Sequence, residues 1–153
     1  MKSLKSINPW LWVPTLYFLE GIPYFLVNNI SMVMFNQMGV PNGEMSFFTT
    51  LLYFPWALKF LWAPFVDLIK TKRWWFITMQ FLMLGLAVLT IFSIPQPDPA
   101  TIAAMGTEVK LFTGVLIAFI IMAFSSATHD IAADGFYMLA LTSGVQAEMI
   151  GWR

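Results

Sequence analysis

Cysteine is absent from this chain, and charged side chains are scarce. Without cysteine there are no disulfides, no thiolate metal sites and no cysteine nucleophile. Only 10% of the 153 residues are charged, and eight basic residues balance eight acidic ones. A soluble domain of this length needs many more charges to cover its surface, and a net charge of zero gives no reason to expect a nucleic-acid partner. No serine elbow, HExxH or phosphate loop is present, so we expect no enzyme, metal or cofactor.

Long apolar runs take up most of the chain, which is 59% hydrophobic and 17% aromatic. A membrane-spanning helix needs roughly 20 mostly apolar residues. Four segments qualify, at about 10–36, 45–69, 74–94 and 111–141. The sequence therefore predicts an all-α membrane protein with four transmembrane helices, in contact with membrane lipid.

Basic residues are unevenly distributed among the connections between these segments. They precede the first segment and fill the short loop after the second, whereas the first loop has none and the third has only Lys110. Because lysine and arginine are enriched in cytoplasmic loops, both ends of the chain are predicted to be cytoplasmic. The residues that carry this prediction are Lys2, Lys5, Lys70, Lys72 and Arg73.

A polar stripe follows one face of the first predicted helix. Tyr17, Glu20, Tyr24, Asn28 and Ser31 recur at spacings of three and four, which places them on the same side of a helix. That side is too polar to face lipid. It lines a cavity that receives a small molecule, or alternatively it supplies polar contacts between packed helices.

The fourth predicted helix carries a second polar face. Ser126, Asp130 and Asp134 recur every four residues, with His129 beside Asp130. Two carboxylates one turn apart in a partly desolvated helix favour sharing a proton, which is what a proton carrier requires. The alternative is that Asp134 lies near the cytoplasmic interface and is solvated there.

Lys59 lies inside the second predicted span and needs a carboxylate, water or an anionic ligand as partner. Counting 1.5 Å per residue, Glu20, Lys59, Asp130 and Asp134 can all meet at one depth. The sequence therefore predicts a charged cluster on a transport pathway. A purely structural Glu20–Lys59 ion pair is the alternative.

The ranking of the helices by polarity resembles the first half-bundle of a major facilitator superfamily transporter, in which the first and fourth helices line the cavity. Three strings narrow the likeness to the AmpG family of muropeptide permeases: EGIP at Glu20–Pro23, LKFLWAP at Leu58–Pro64 and ATHDIAAD at Ala127–Asp134. The loop that follows the LKFLWAP string is similar to the superfamily's cytoplasmic latch. Asp67 and Arg73 are its candidate residues, and Lys70 stands where a glycine is usual.

The resemblance implies proton-driven import of anhydro-muropeptides, which are sugar-peptides from cell-wall turnover, across the bacterial inner membrane. From the spacing of the polar residues we expect Asp130, Asp134 and His129 to serve proton coupling, and Glu20, Tyr24, Asn28 and Lys59 to line the substrate cavity. The chain resembles the N-terminal third of a twelve-helix fold, so the remaining helices are expected as partners. The family also shades into acetyl-CoA transporters.

Two other functions remain open. One is a complete four-helix exporter that oligomerises, similar to small multidrug-resistance pumps, which also carry a glutamate in the first helix. The other is a membrane subunit that holds a partner and transports nothing itself.

Overall fold

The computed structural model describes residues 8–37, 40–93 and 108–152, and helices dominate all three ranges. The N-terminal lysines and the loop at 95–107, which carry part of the topology prediction, lie outside the described residues, as does residue 94, the predicted end of the third span. Short 3-10 turns at Lys59–Leu61 and Ile150–Trp152 complete the helical elements. The helices are α1 Pro9–Gln37, α2 Asn42–Leu58, α3 Ala63–Leu68, α4 Lys72–Ser93, α5 Glu108–Ala140 and α6 Ser143–Glu148.

Three helices are long and apolar enough to cross a membrane by length and composition. They are Pro9–Gln37 with 29 residues, Lys72–Phe92 with 21 and Gly114–Ala140 with 27. Each exceeds the length that the hydrocarbon core requires. The described part of the chain therefore has the architecture of an all-α membrane protein.

The predicted second span is not one continuous helix. α2 ends at Leu58, a 3-10 turn covers Lys59–Leu61, and α3 then begins with Pro64 in its first turn. Proline has no N–H to continue the bonding of the preceding helix, but it is well suited to a helix start. The prediction of an uninterrupted helix over 45–69 is thus wrong in its middle, because Pro64 restarts the helix.

α1 contains one wider turn. Residues Leu26–Ile30 are π-helical, between α-helical stretches on both sides. A π turn holds one residue more than the 3.6-residue period assumes, so the polar stripe read from that period is shifted beyond Leu26. Ser31, which follows this turn, is fully buried, and its hydroxyl donates to the Val27 carbonyl within α1.

α5 lies at the centre of the helix packing and contacts α1, α2, α3 and α4. Its middle is made of small residues, and Ala123, Ala127, Ala132 and Ala133 are completely buried. Small side chains let neighbouring backbones approach closely in membrane helices. This close packing brings the polar face of α5 against α1 and α2.

Lys70, between α3 and α4, is the one described non-glycine residue with a positive φ, at 65°. Side chains other than glycine are strained there. We expect Lys70→Gly to raise the free energy of unfolding by about 1 kcal/mol, measured by SDS titration in mixed micelles. Lys70→Ala is the control and should give no gain, and a loss of stability in Lys70→Gly would contradict the prediction.

Candidate functional site

Lys59 and Asp130 form an ion pair between the end of α2 and the middle of α5. The Asp130 side chain is only 13% exposed. Lys59 begins the 3-10 turn that separates α2 from α3, so the pair lies where the predicted second span is interrupted. Interrupted helices in transporters commonly mark ion and substrate sites.

Glu20 joins this pair from α1. Its carboxyl lies close enough to Asp130 and to Lys59 to interact with both electrostatically. Its Oε2 atom is buried and has no hydrogen-bond partner among the described residues. Lys59 thus forms its ion pair with Asp130, whereas the sequence left a Glu20–Lys59 pair as the alternative.

Asp134 lies one turn further along α5 and is held by Tyr17 of α1. The Tyr17 hydroxyl donates to the Asp134 Oδ1 atom at 3.0 Å. Asp134 also acts electrostatically on Glu20. Four ionisable side chains from three helices therefore meet in one cluster, which we call the charged cluster: Glu20, Lys59, Asp130 and Asp134.

An aromatic corner adjoins the charged cluster, one turn after Glu20 on α1 and one to two turns before Lys59 on α2. Tyr24 meets Trp56 edge to face with ring centroids 5.0 Å apart, and it lies 6.5 Å from Tyr53. Tyr53, Trp56 and Lys59 are spaced by three along α2, so they share a face. Tyr53 and Trp56 were not among the cavity residues predicted from the sequence, although that spacing could have revealed them.

Asn28 lies apart from the charged cluster in the contacts that the structure describes, and His129 is linked to it only by an electrostatic interaction with Asp130. The Asn28 amide donates to the Tyr24 carbonyl in the π-helical part of α1, at 3.0 Å. The His129 ring packs on Phe76 of α4, with centroids 4.3 Å apart, and neither ring nitrogen has a hydrogen-bond partner among the described residues. Successive helix residues point about 100° apart, so His129 faces α4 while Asp130 faces α1 and α2.

Asp67 pairs with Lys72 at the short loop between α3 and α4. The Lys72 side chain also lies against Gly135 of α5, where an added Cβ would be only 2.6 Å from Lys72 Cε. Lys72 thereby connects α3, α4 and α5. Arg73, the other residue that the sequence analysis named in this loop, is exposed and forms no ion pair among the described residues.

The charged cluster can bind and release protons, and its neighbouring aromatic rings can pack against a ligand. Within the residues that the structure describes, no three side chains of histidine, aspartate or glutamate are grouped so as to hold a metal ion. The three carboxyls and one lysine of the cluster can exchange protons and form charge pairs.

Comparison with known proteins places the chain in a family. Residues 10–147 match a family model described as "Acetyl-coenzyme A transporter 1". An uncharacterized protein of Haemophilus influenzae is 30% identical over 125 residues, covering 78% of this chain and 26% of that protein. The chain thus spans about a quarter of the length of this relative. No solved structure matches it. Since the family model covers nearly all of the sequence, the chain belongs to the acetyl-coenzyme A transporter 1 family of membrane transporters.

Proposed function

We propose that this chain forms the first part of a proton-coupled importer with the twelve-helix architecture of the major facilitator superfamily. The observation that carries the proposal is the charged cluster, in which Glu20, Lys59 and Asp130 meet between α1, α2 and α5. Ionisable groups inside membrane segments are costly and generally serve ion or substrate movement. In this proposal the interrupted α2–α3 segment is the second of four spans, and both ends of the chain face the cytoplasm of a bacterial cell.

The proton is held between Glu20 and Asp130. Two carboxylates have no donor between them, so carboxyls this close are joined only when one of them carries a proton. Loss of that proton leaves two like charges that repel, and Lys59 compensates only one of them. Proton release therefore weakens the contact between α1 and α5. Both helices belong to the half-bundle that rocks against the other half during alternating access.

Asp134 supports this step from the adjacent turn, where Tyr17 fixes its orientation. We assign coupling to Asp130 and Asp134 and leave His129 outside it, because its ring packs against α4. Substrate binds beside the charged cluster, against Tyr24 and the other rings of the aromatic corner, with Asn28 as a further polar contact. Asp67 with Lys72 forms the cytoplasmic latch in this proposal, and Arg73 lies outside it.

The substrate that we propose is an anhydro-muropeptide, on the strength of the EGIP, LKFLWAP and ATHDIAAD strings. Acetyl-CoA is the second candidate, and the description of the matching family favours it. Both molecules carry charged groups on a body that contains rings and acyl groups. Both could therefore use a cluster of charges beside aromatic rings.

The test is uptake into vesicles that contain the complete transporter carrying this chain. We expect an imposed proton gradient to accelerate accumulation of a labelled anhydro-muropeptide, and unlabelled acetyl-CoA to leave that uptake unchanged. A protonophore and protein-free vesicles are the controls. Gradient-driven uptake of acetyl-CoA alone would transfer the assignment to the second candidate, and uptake of neither would overturn the proposal.

A further inference from the structure

A groove of about 580 Å³ runs along the side of the protein between α3, α4 and α5. It begins at the basic loop, where Ile69 and Trp75 line it, and it reaches Leu82 of α4 and Ile121 of α5. Arg73 and Leu82 are nine residues apart on α4, so the groove extends about 14 Å from the loop into the membrane-length part of the helices.

The walls of the groove offer no free polar group among the described side chains. Ser125 and Thr128 donate to carbonyls of α5, and the two indole N–H groups are also engaged, Trp62 with the Thr128 hydroxyl and Trp75 with the Ile69 carbonyl. Every other lining residue is apolar. A polar substrate would lose its hydration there without replacement, whereas an alkyl chain would not.

The loop end of the groove is basic. Lys70 and Arg73 are exposed and take part in neither of the described ion pairs. Lys72 is already neutralised by Asp67. Trp74 is also exposed and lies 6.0 Å from the Lys70 ammonium, and such a ring beside a cation is typical of the membrane interface. Two free cations at the mouth of an apolar groove complement a molecule with an anionic head and an alkyl tail.

We infer that this groove is a binding site for an anionic phospholipid, with one acyl chain lying between α3, α4 and α5 and the phosphate between Lys70 and Arg73. Basic pockets between membrane helices on the cytoplasmic side are a recognised setting for anionic lipid headgroups. The inference does not depend on the identity of the transported substrate. It assigns Lys70 and Arg73 to lipid recognition, separate from the charged cluster around Asp130.

The test is lipid retention by the delipidated chain in detergent, measured by native mass spectrometry with equimolar phosphatidylglycerol and phosphatidylcholine of identical acyl chains. We expect phosphatidylglycerol to be retained preferentially, and Lys70→Gln with Arg73→Gln to reduce that preference on the order of tenfold. Met79→Trp, which fills the groove, should lower retention of both lipids to a similar extent.

The matched control is Lys2→Gln with Lys5→Gln, which removes the same charge from the N-terminal segment of the sequence and should preserve the preference. Equal retention of the two lipids by the parent would overturn the inference, as would a control pair that loses as much as the loop pair. The same measurement on the complete transporter decides whether another helix covers the groove. If the complete transporter retains no phosphatidylglycerol, the inference is overturned. The loop pair lies on the surface, so its result is independent of whether Met79→Trp folds.

Discussion

Lys59→Ala is expected to abolish uptake by the complete transporter. Asp130 would lose its described cationic partner while remaining largely buried. Removing one member of a fully buried ion pair costs about 3–5 kcal/mol, which is an upper limit here because the Lys59 side chain is 36% exposed. Glu20, which interacts electrostatically with Asp130, would then face an uncompensated charge. The measurement is initial uptake in vesicles containing equal amounts of folded protein, and we expect a loss of about 100-fold or more.

Two further variants separate loss of transport from loss of folding. Lys59→Arg keeps the charge in a different shape and should restore uptake in part. Lys59→Met combined with Asp130→Asn removes both charges, so it should restore the amount of folded protein without restoring gradient-driven uptake. Uptake by Lys59→Ala at the parental rate would show that the Lys59–Asp130 pair has no role in the transport cycle.

Asp130→Asn is expected to uncouple transport from the proton gradient. Asparagine still accepts a hydrogen bond from Lys59, but it cannot exchange a proton. The variant should lose the acceleration produced by an imposed pH gradient while still binding substrate and catalysing counterflow. Asn28→Ala should do the reverse, weakening substrate binding while leaving the response to the gradient intact.

His129→Asn is the matched control for this experiment, because it removes the neighbouring titratable side chain on the α4 side of the helix and should remain coupled. If Asp130→Asn accumulates substrate against a gradient as well as the parent does, the proton is carried elsewhere. Glu20, with its unpartnered buried Oε2 atom, is then the next residue to replace.

Much of the fold follows from the apolar runs. The first predicted span, 10–36, agrees within a residue at each end with the helix Pro9–Gln37, since Asn8 caps the helix by accepting from the Trp10 N–H. The interruption after Leu58 could not be predicted with the same certainty, although Pro64 is visible in the sequence. Membrane helices often accommodate proline when neighbours satisfy the freed backbone groups, and only the packing determines whether they do.

The sequence predicted which residues form the charged cluster better than it predicted which of them pair with each other. Helical depth indicated that Glu20, Lys59 and Asp130 lie at one level, but the rotation of each helix determines which carboxyl meets the lysine. The π turn in α1 and the orientation of His129 toward Phe76 are likewise outcomes of packing. Tyr17 was visible as part of a polar stripe, whereas its bond to Asp134 connects residues 117 positions apart.

The contact between the first helix and the last long one has a consequence for biosynthesis. Glu20 is made 110 residues before Asp130, which at typical elongation rates is an interval of roughly 5 to 20 s. Lys59 is synthesised before Asp130, and it is the first lysine after Glu20 that lies inside a predicted membrane span. The order of synthesis thus favours a temporary Glu20–Lys59 pair, which must be exchanged for Lys59–Asp130 when α5 inserts.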